Sequence, residues 1–101
     1  MRKQIAAANW KMNLSQSEAD TLLNELLQTE HTLTAHQEAI FAVPAIYIQH
    51  ASAKLAGKKN MYVAAQNCHQ KNNGAFTGEI SASMFASVSY THLRAHETLM
   101  N

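Results

Sequence analysis

The chain has 101 residues, the length of one small domain. Apolar residues make up 47% of it and charged residues 15%, which supports a packed core and excludes an intrinsically disordered chain. Because 8 basic and 7 acidic residues leave a formal net charge of +1, we expect neither a nucleic-acid partner nor an anionic membrane partner.

The first half of the chain predicts two strands separated by one helix. Residues 5–8 are a short apolar run, followed by the capping-box spacing of Ser15 and Glu18. A helical stripe of apolar side chains comes next, and a second apolar run covers residues 39–43. The stripe consists of Ala19, Leu22, Leu23, Leu26 and Leu27.

The second half repeats this alternation. A helix is predicted over residues 47–55 and ends before Gly57, and a third apolar run covers residues 61–65. A polar loop over residues 67–78 precedes another helix that begins at Ser81. Continuously apolar strands are typical of sheets covered on both faces. The order β-α-β-α-β-α therefore predicts an α/β fold with parallel strands and right-handed crossovers.

Two polar side chains follow the first predicted strand. Asn9 and Lys11 alternate with Ala8 and Trp10, so an extended segment would project them to the same side. The carboxyl end of a parallel strand is where ligands bind in this fold class, and a lysine there could hold a phosphate or a developing anion. Composition alone also allows a surface lysine beside a turn-forming asparagine.

The loop before the last helix contains two glycines. Gly74 and Gly78 bracket Phe76 and Thr77, which suits a protruding loop with backbone angles that other residues rarely adopt. The same pattern also allows a solvated loop in which Phe76 is only a local anchor.

Three segments together closely resemble the triosephosphate isomerase family. They are Ala-Asn-Trp-Lys-Met-Asn at residues 8–13, Ala-Gln-Asn-Cys at residues 65–68 and Gly-Ala-Phe-Thr-Gly-Glu-Ile-Ser at residues 74–81. The resemblance covers residues 1 to about 88, roughly the first third of a (β/α)8 barrel. It implies the first three βα units of a TIM barrel, truncated and unable to close.

The resemblance also implies a reaction and a site. The family interconverts dihydroxyacetone phosphate and glyceraldehyde 3-phosphate through an enediolate, without a cofactor, in glycolysis and gluconeogenesis. Lys11 would neutralise the phosphate and enediolate charges, and Asn9 would help to fix the substrate oxygens. Loop residues 74–78 would reach into a twin subunit of a homodimer, with Thr77 approaching that subunit's counterpart of Asn9. Gln66 and Asn67 are interpreted as structural.

The resemblance stops before the end of the chain. Residues 89–101 lack the apolar fourth strand of the family, and His92 and Arg94 do not suit a buried parallel strand. His96 lacks the glycine and serine that flank the family's histidine, so it receives no catalytic role. We therefore predict a partial barrel domain over residues 1–88 and a foreign tail, an artefact, over residues 89–101.

This interpretation leaves two functional hypotheses. The proton-transferring acid and base are absent from the matched region, so the chain made on its own is predicted to be an inactive piece of an isomerase. The alternative is a non-catalytic fragment that binds an intact isomerase subunit through residues 74–78.

Other kinds of site lack support in the sequence. Cys68 and His69 have no second pair at zinc spacing, and Leu93 stands where a zinc protease needs glutamate after His92. Residues 9–15 contain no glycine, which argues against a dinucleotide-binding turn. The sequence thus predicts no metal and no cofactor. A lone cysteine and a short N-terminal apolar run favour a cytoplasmic protein.

Overall fold

A computed structural model describes residues 4–28 and 33–89. Three strands alternate with three helices in the predicted order, and a short 3₁₀ turn follows the second strand at Ala45–Tyr47. Every predicted strand and helix is confirmed. The elements are β1 (Gln4–Asn9), α1 (Gln16–Gln28), β2 (Gln37–Val43), α2 (Ile48–Leu55), β3 (Met61–Ala65) and α3 (Ala82–Ser87).

The three strands form one open sheet in the order β1-β2-β3. Both strand pairs are parallel, as predicted: Ala8 lies beside Phe41, and Phe41 lies beside Val63. This is the arrangement of the first βα units of a TIM barrel whose sheet does not close. Because all strands run in the same direction, Asn9, Val43 and Ala65 end them at one edge of the sheet, which we call the carboxyl edge.

Both faces of β2 are buried. Alternate side chains point to opposite faces of a strand, so β2 contributes to two clusters of apolar side chains. The helix-side cluster contains Val43, Val63, Leu23, Ile48 and Leu55, and a smaller cluster on the other face contains Ile40, Ala42 and Ala64. The continuous apolar run of β2 thus predicted its burial correctly.

The same prediction is wrong for β1. Every residue from Gln4 to Asn9 is exposed, and Ile5 is 57% exposed. The physical reason is position: β1 has a neighbouring strand on the β2 side alone among the described residues, and its small alanines reach few partners. An apolar run shows what a strand can bury, whereas its neighbours determine what it does bury.

The helices are fixed at their starts and to each other. The predicted capping box of α1 is present: the Ser15 amide donates to Glu18 Oε1 at 2.9 Å, and the Glu18 amide donates to Ser15 Oγ at 3.4 Å. Asp20 on α1 accepts from Lys54 Nζ and lies against His50 Nε2 on α2, both at 2.8 Å. Hydrogen bonds from Lys54 and His50 lower the pKa of the Asp20 carboxyl.

The predicted tail lies almost wholly outside the described residues. Its histidines, His92 and His96, and Arg94 belong to residues 90–101, so the boundary at residue 88 remains a prediction. Across residues 4–28 and 33–89, no helix has the length and apolar character needed to cross a membrane.

Candidate functional site

The predicted ligand-binding residues lie at the end of β1 and in the loop that follows it, residues 10–15, which we call the first loop. Trp10 is buried, and its amide donates to the Ala42 carbonyl at 2.9 Å, which fixes the start of the loop to β2. Asn9 precedes this anchor and Lys11 follows it, and both are exposed. The end of β1 and the first loop therefore present a side-chain amide and a cation at the carboxyl edge of the sheet.

The backbone of the first loop is strained. Lys11 has φ +56° and Leu14 has φ +77°, in the left-handed region that residues with a Cβ rarely adopt. The strand ends at Asn9, so the prediction of an extended segment running through Lys11 is wrong. Instead, the Lys11 amide donates to Asn9 Oδ1 at 2.9 Å, which closes a tight turn between the two residues.

Gln66, the first residue after β3, ties the first loop to the rest of the sheet. Its Nε2 donates to the carbonyls of Lys11 at 2.9 Å and Ala42 at 3.1 Å, and it lies 3.4 Å from Asn9 Oδ1. One side-chain amide thus joins the ends of all three strands. These contacts give Gln66 the structural role that the sequence predicted, and they place that role directly at Asn9 and Lys11.

Two further side chains hold the first loop. Asn13 Nδ2 donates to the Trp10 carbonyl at 2.8 Å, and the Tyr47 hydroxyl donates to the Leu14 carbonyl at 2.7 Å. The sequence predicted Tyr47 only as the start of a helix, and this contact was missed. One signal was available, since a tyrosine in an apolar helix face needs a hydrogen-bond partner for its hydroxyl when it is buried.

A longer loop follows β3 at residues 67–80, which we call the second loop. The His69 amide donates to the Ile80 carbonyl at 2.8 Å, which closes the loop at its base. Above this base the rings of His69 and Phe76 stack with centroids 4.2 Å apart. The Lys71 amide donates to His69 Nδ1 at 3.1 Å. The second loop is therefore held together largely by its own residues.

The predicted dimer-loop residues form the outer part of the second loop. Gly74 has φ +143° and Gly78 has φ +86°, as the sequence pattern predicted for the two glycines. A Cβ on Gly74 would lie 2.5 Å from Phe76 Cε2, so the stacked ring also requires glycine at this position. Thr77 is exposed between Phe76 and Gly78. The candidate site residues thus occupy two different loops.

The chemistry available at the first loop is electrostatic. Lys11 presents an exposed ammonium group. The backbone that carries it is fixed by hydrogen bonds from Gln66 to the Lys11 carbonyl and from Tyr47 to the Leu14 carbonyl. A compact cation on a fixed backbone suits a phosphate or an oxyanion, and no rearrangement is needed when such an anion arrives. Within residues 4–28 and 33–89, no cluster of three His, Cys, Asp or Glu side chains could hold a metal ion.

Cys68 and His69, the adjacent pair without zinc-site spacing, have structural positions. Cys68 is a partly buried free thiol packed against the helix-side cluster. His69 uses its ring to stack on Phe76 and to accept the Lys71 amide. Both residues line a cavity of about 210 Å³ beneath the second loop, together with Asn67 and Glu79.

Comparison with known proteins gives a consistent result. The family model described as triosephosphate isomerase matches residues 4–93. Triosephosphate isomerase of Flavobacterium johnsoniae is 44% identical over 88 residues, 87% of this chain and 34% of the relative. The protein of the same name from Porphyromonas gingivalis W83 is 40% identical, over 86% of this chain and 34% of its own length. The one from Mycoplasma mobile is 38% identical, over 83% of this chain and 36% of its own length. The chain spans about a third of the length of the curated relatives it matches.

Proposed function

The chain belongs to the triosephosphate isomerase family, and from this membership we propose that it carries part of the substrate site of an enzyme that interconverts dihydroxyacetone phosphate and glyceraldehyde 3-phosphate. The observation that supports this most directly is Lys11, an exposed cation held at the carboxyl edge in a left-handed backbone conformation. Both triose phosphates carry a phosphate dianion, and their interconversion moves a proton through an enediolate.

Lys11 and Asn9 have different roles in this proposal. The Lys11 ammonium neutralises the phosphate dianion and the negative charge that develops on the enediolate oxygen. Asn9 helps to fix the substrate oxygens, and its Oδ1 holds the Lys11 amide at 2.9 Å, so the two residues are coupled through the backbone. Since the reaction is a proton transfer between neighbouring carbons, the proposal requires neither a cofactor nor a metal.

The 101-residue polypeptide made on its own is proposed to lack this activity. Proton transfer needs a general base within hydrogen-bonding reach of the substrate. Within the part of the chain that the structure describes, the side chains seen bonded to the first loop from outside it include those of Asn9, Ser17, Glu18, Tyr47 and Gln66. The carboxylate of Glu18 caps α1 at Ser15, and none of the others is a base placed at Lys11. An open three-stranded sheet also lacks the layered side chains that fill a closed barrel.

This proposal is tested by separating binding from turnover. The chain is titrated with dihydroxyacetone phosphate while the backbone amide signals of the first loop are followed by NMR. We expect a saturable shift that is lost in Lys11→Met and retained in Lys58→Met. Lys58 is an equally exposed lysine near the start of β3, at the opposite edge of the sheet.

Activity is measured in the same protein after purification from a host without isomerase. We expect no isomerisation above buffer. Isomerisation that copurifies with the chain and disappears in Lys11→Met would contradict the proposed inactivity, and unchanged binding in Lys11→Met would contradict the role of Lys11.

A second candidate function, binding to another isomerase subunit, is favoured by the second loop. Residues 74–78 are exposed but internally organised by the His69–Phe76 stack, so little order has to be gained on contact. Apolar side chains are exposed in the first loop, in the 3₁₀ turn after β2 and in the second loop: Met12 is 95% exposed, Ile46 79% and Phe76 43%. Such a group suits a protein contact, and we propose a homodimer of the family's subunits.

Co-expression of the tagged chain with an intact isomerase subunit tests this second candidate. Recovery of mixed dimers is expected, and Thr77→Arg is expected to reduce it strongly. Thr21→Arg makes the same substitution on the exposed face of α1 and serves as the matched control. Equal recovery with both variants would exclude the second loop as the contact.

We also propose a cytoplasmic location, in keeping with a glycolytic family and the lone Cys68. Nucleic acid and membranes are not proposed as partners, because the formal net charge is only +1.

A further inference from the structure

We propose that Tyr47 is a positioning residue for Lys11, acting through a hydrogen bond to the Leu14 carbonyl that fixes the first loop. The inference rests on the proposed function of Lys11 as the anion-binding cation. Tyr47 itself is not placed in contact with the substrate, so its effect is on the geometry of the loop that carries the ammonium group.

The contact is short and comes from a fixed side chain. The Tyr47 hydroxyl donates to the Leu14 carbonyl at 2.7 Å across 33 positions of the chain. Tyr47 is 7% exposed, and its ring packs in the helix-side cluster with Val43 and Ile48. A ring held in a close-packed core cannot follow the loop if the loop moves, so the hydroxyl is a stationary anchor.

The first loop needs such an anchor because its backbone is unfavourable. Lys11 and Leu14 both have positive φ, and residues with a Cβ remain in that region only where surrounding contacts hold them. Gln66 holds the Lys11 carbonyl at 2.9 Å, and Tyr47 holds the Leu14 carbonyl at 2.7 Å. The two strained residues are therefore held separately, one by the residue that follows β3 and one by the residue that precedes α2.

Only Met12 and Asn13 lie between the two anchored carbonyls. If Leu14 relaxed to a negative φ, the short segment would have to turn, and that turn would act against the bonds from Asn9 and Gln66 that hold the Lys11 backbone. Because oriented charge is effective only when it already lies where the anion binds, loss of this anchor weakens anion binding even though Lys11 keeps its charge.

The experiment uses Tyr47→Phe, which removes the hydroxyl and keeps the buried ring. Inorganic phosphate is titrated into the 101-residue chain and the Lys11 signals are followed by NMR. The nuclear Overhauser effect between the amide proton and Hα of Leu14, strong at positive φ, reports the loop geometry. We expect this effect to weaken and the dissociation constant for phosphate to rise about three- to tenfold.

Tyr62→Phe is the matched control. It removes a tyrosine hydroxyl from β3, where Tyr62 packs with the cluster on the other face of the sheet. This variant is expected to leave both the Leu14 signal and the phosphate affinity unchanged. A melting temperature that falls in Tyr47→Phe while both signals stay constant would overturn the inference, because a merely structural tyrosine gives that result.

Failure of this inference and failure of the proposed function give different results. If phosphate does not shift Lys11 in the unmodified chain, the proposed function fails, and the Leu14 signal of Tyr47→Phe decides the inference by itself. If Tyr47→Phe does not fold, the hydroxyl proton of Tyr47 in the unmodified chain decides it. A slowly exchanging proton supports the hydrogen bond, and a rapidly exchanging one overturns it.

Discussion

The two loops that carry the candidate site residues acquire their shapes in different ways. The first loop has positive φ at Lys11 and Leu14, and side chains from distant parts of the chain, Gln66 and Tyr47, hold it. The second loop has positive φ at glycines, and its own His69 and Phe76 stack to hold it. The first loop is shaped by the assembled fold, whereas the second carries its conformation in its local sequence.

This difference has a consequence for function. The bonds from Gln66 to the carbonyls of Lys11 and Ala42 require β3 to lie beside β2, because Gln66 directly follows β3. The second loop requires only its closed base and its stacked rings. We therefore expect the anion site to be lost when the sheet is disturbed, and the contact surface at residues 74–78 to survive such a disturbance better.

The largest expected effect comes from Gln66→Glu. The substitution keeps the size of the side chain but replaces the donating amide with a carboxylate, which cannot donate to the carbonyls of Lys11 and Ala42. The two carbonyl oxygens lose their donor and face a negative charge instead. We therefore expect the free energy of unfolding to fall by about 2 to 3 kcal/mol. Urea denaturation of the chain measures it.

Asn67→Asp is the control for Gln66→Glu. It makes the same amide-to-acid change at the next residue, which is exposed. If the first loop depends on Gln66, phosphate binding at Lys11 is lost in Gln66→Glu and kept in Asn67→Asp, and the signals of Phe76 change in neither. Equal effects of the two substitutions would show that added negative charge alone is responsible.

The sequence predicted the elements well because their signals are local. The capping box at Ser15 and the apolar stripe of α1 are both contained in the segment that they describe, and the three apolar runs mark the three strands. The glycines of the second loop are a signal of the same kind, since Gly74 and Gly78 adopt the backbone angles for which glycine is suited.

The site geometry could not be predicted in this way. The turn-forming Asn9 is the local sign of the turn at Lys11, but the other contacts that hold the first loop come from Gln66, 55 positions from Lys11, and from Tyr47, 33 positions from Leu14. The exposure of β1 was missed for a related reason, because an apolar run does not indicate how many neighbours the strand has. Long-range contacts supply what the local pattern lacks.

A smaller effect is expected from placing a side chain on the glycines of the second loop. Gly74→Ala brings a Cβ to 2.5 Å from Phe76 Cε2, whereas Gly78→Ala meets no atom within 4 Å. Both substitutions place alanine at a positive φ, at a cost of about 1 to 2 kcal/mol each, and Gly74→Ala must also displace the ring. Amide exchange of Lys71 and Glu79 measures the opening of the loop.

The comparison between the glycine variants isolates the aromatic stack. We expect Gly74→Ala to move the rings of Phe76 and His69 apart and so to change their chemical shifts. It should also accelerate exchange of the Lys71 amide more than Gly78→Ala does. Phosphate binding at Lys11 is expected to persist in both. If both variants open the loop equally, the stack does not contribute and the positive φ values alone shape the second loop.

The smallest expected effect is a pH dependence of amide-exchange protection that is confined to the end of the first loop. Hydrogen bonds from Ser15 stabilise the Glu18 carboxylate and lower the pKa of Glu18 below its usual value of 4.5. The backbone amide of Ser15 makes the larger contribution and its hydroxyl the smaller one. The helix start after the second loop uses a serine instead: the Met84 amide donates to Ser81 Oγ at 3.2 Å, a contact without an ionisable group. The two helix starts should therefore respond differently to acid.

The sign follows from the lowered pKa. A group that is more acidic in the folded chain contributes its full stability above its unfolded pKa and loses that contribution as the pH falls through its folded pKa. As the pH falls below the usual pKa of 4.5 and through the lowered pKa of Glu18, exchange protection of the Ser15 amide should fall relative to that of Met84. Glu18→Gln retains an acceptor that does not titrate, so it should remove the difference. A parallel loss of protection at Ser15 and Met84 in the unmodified chain would instead indicate global acid unfolding, and the two helix starts would then be equivalent.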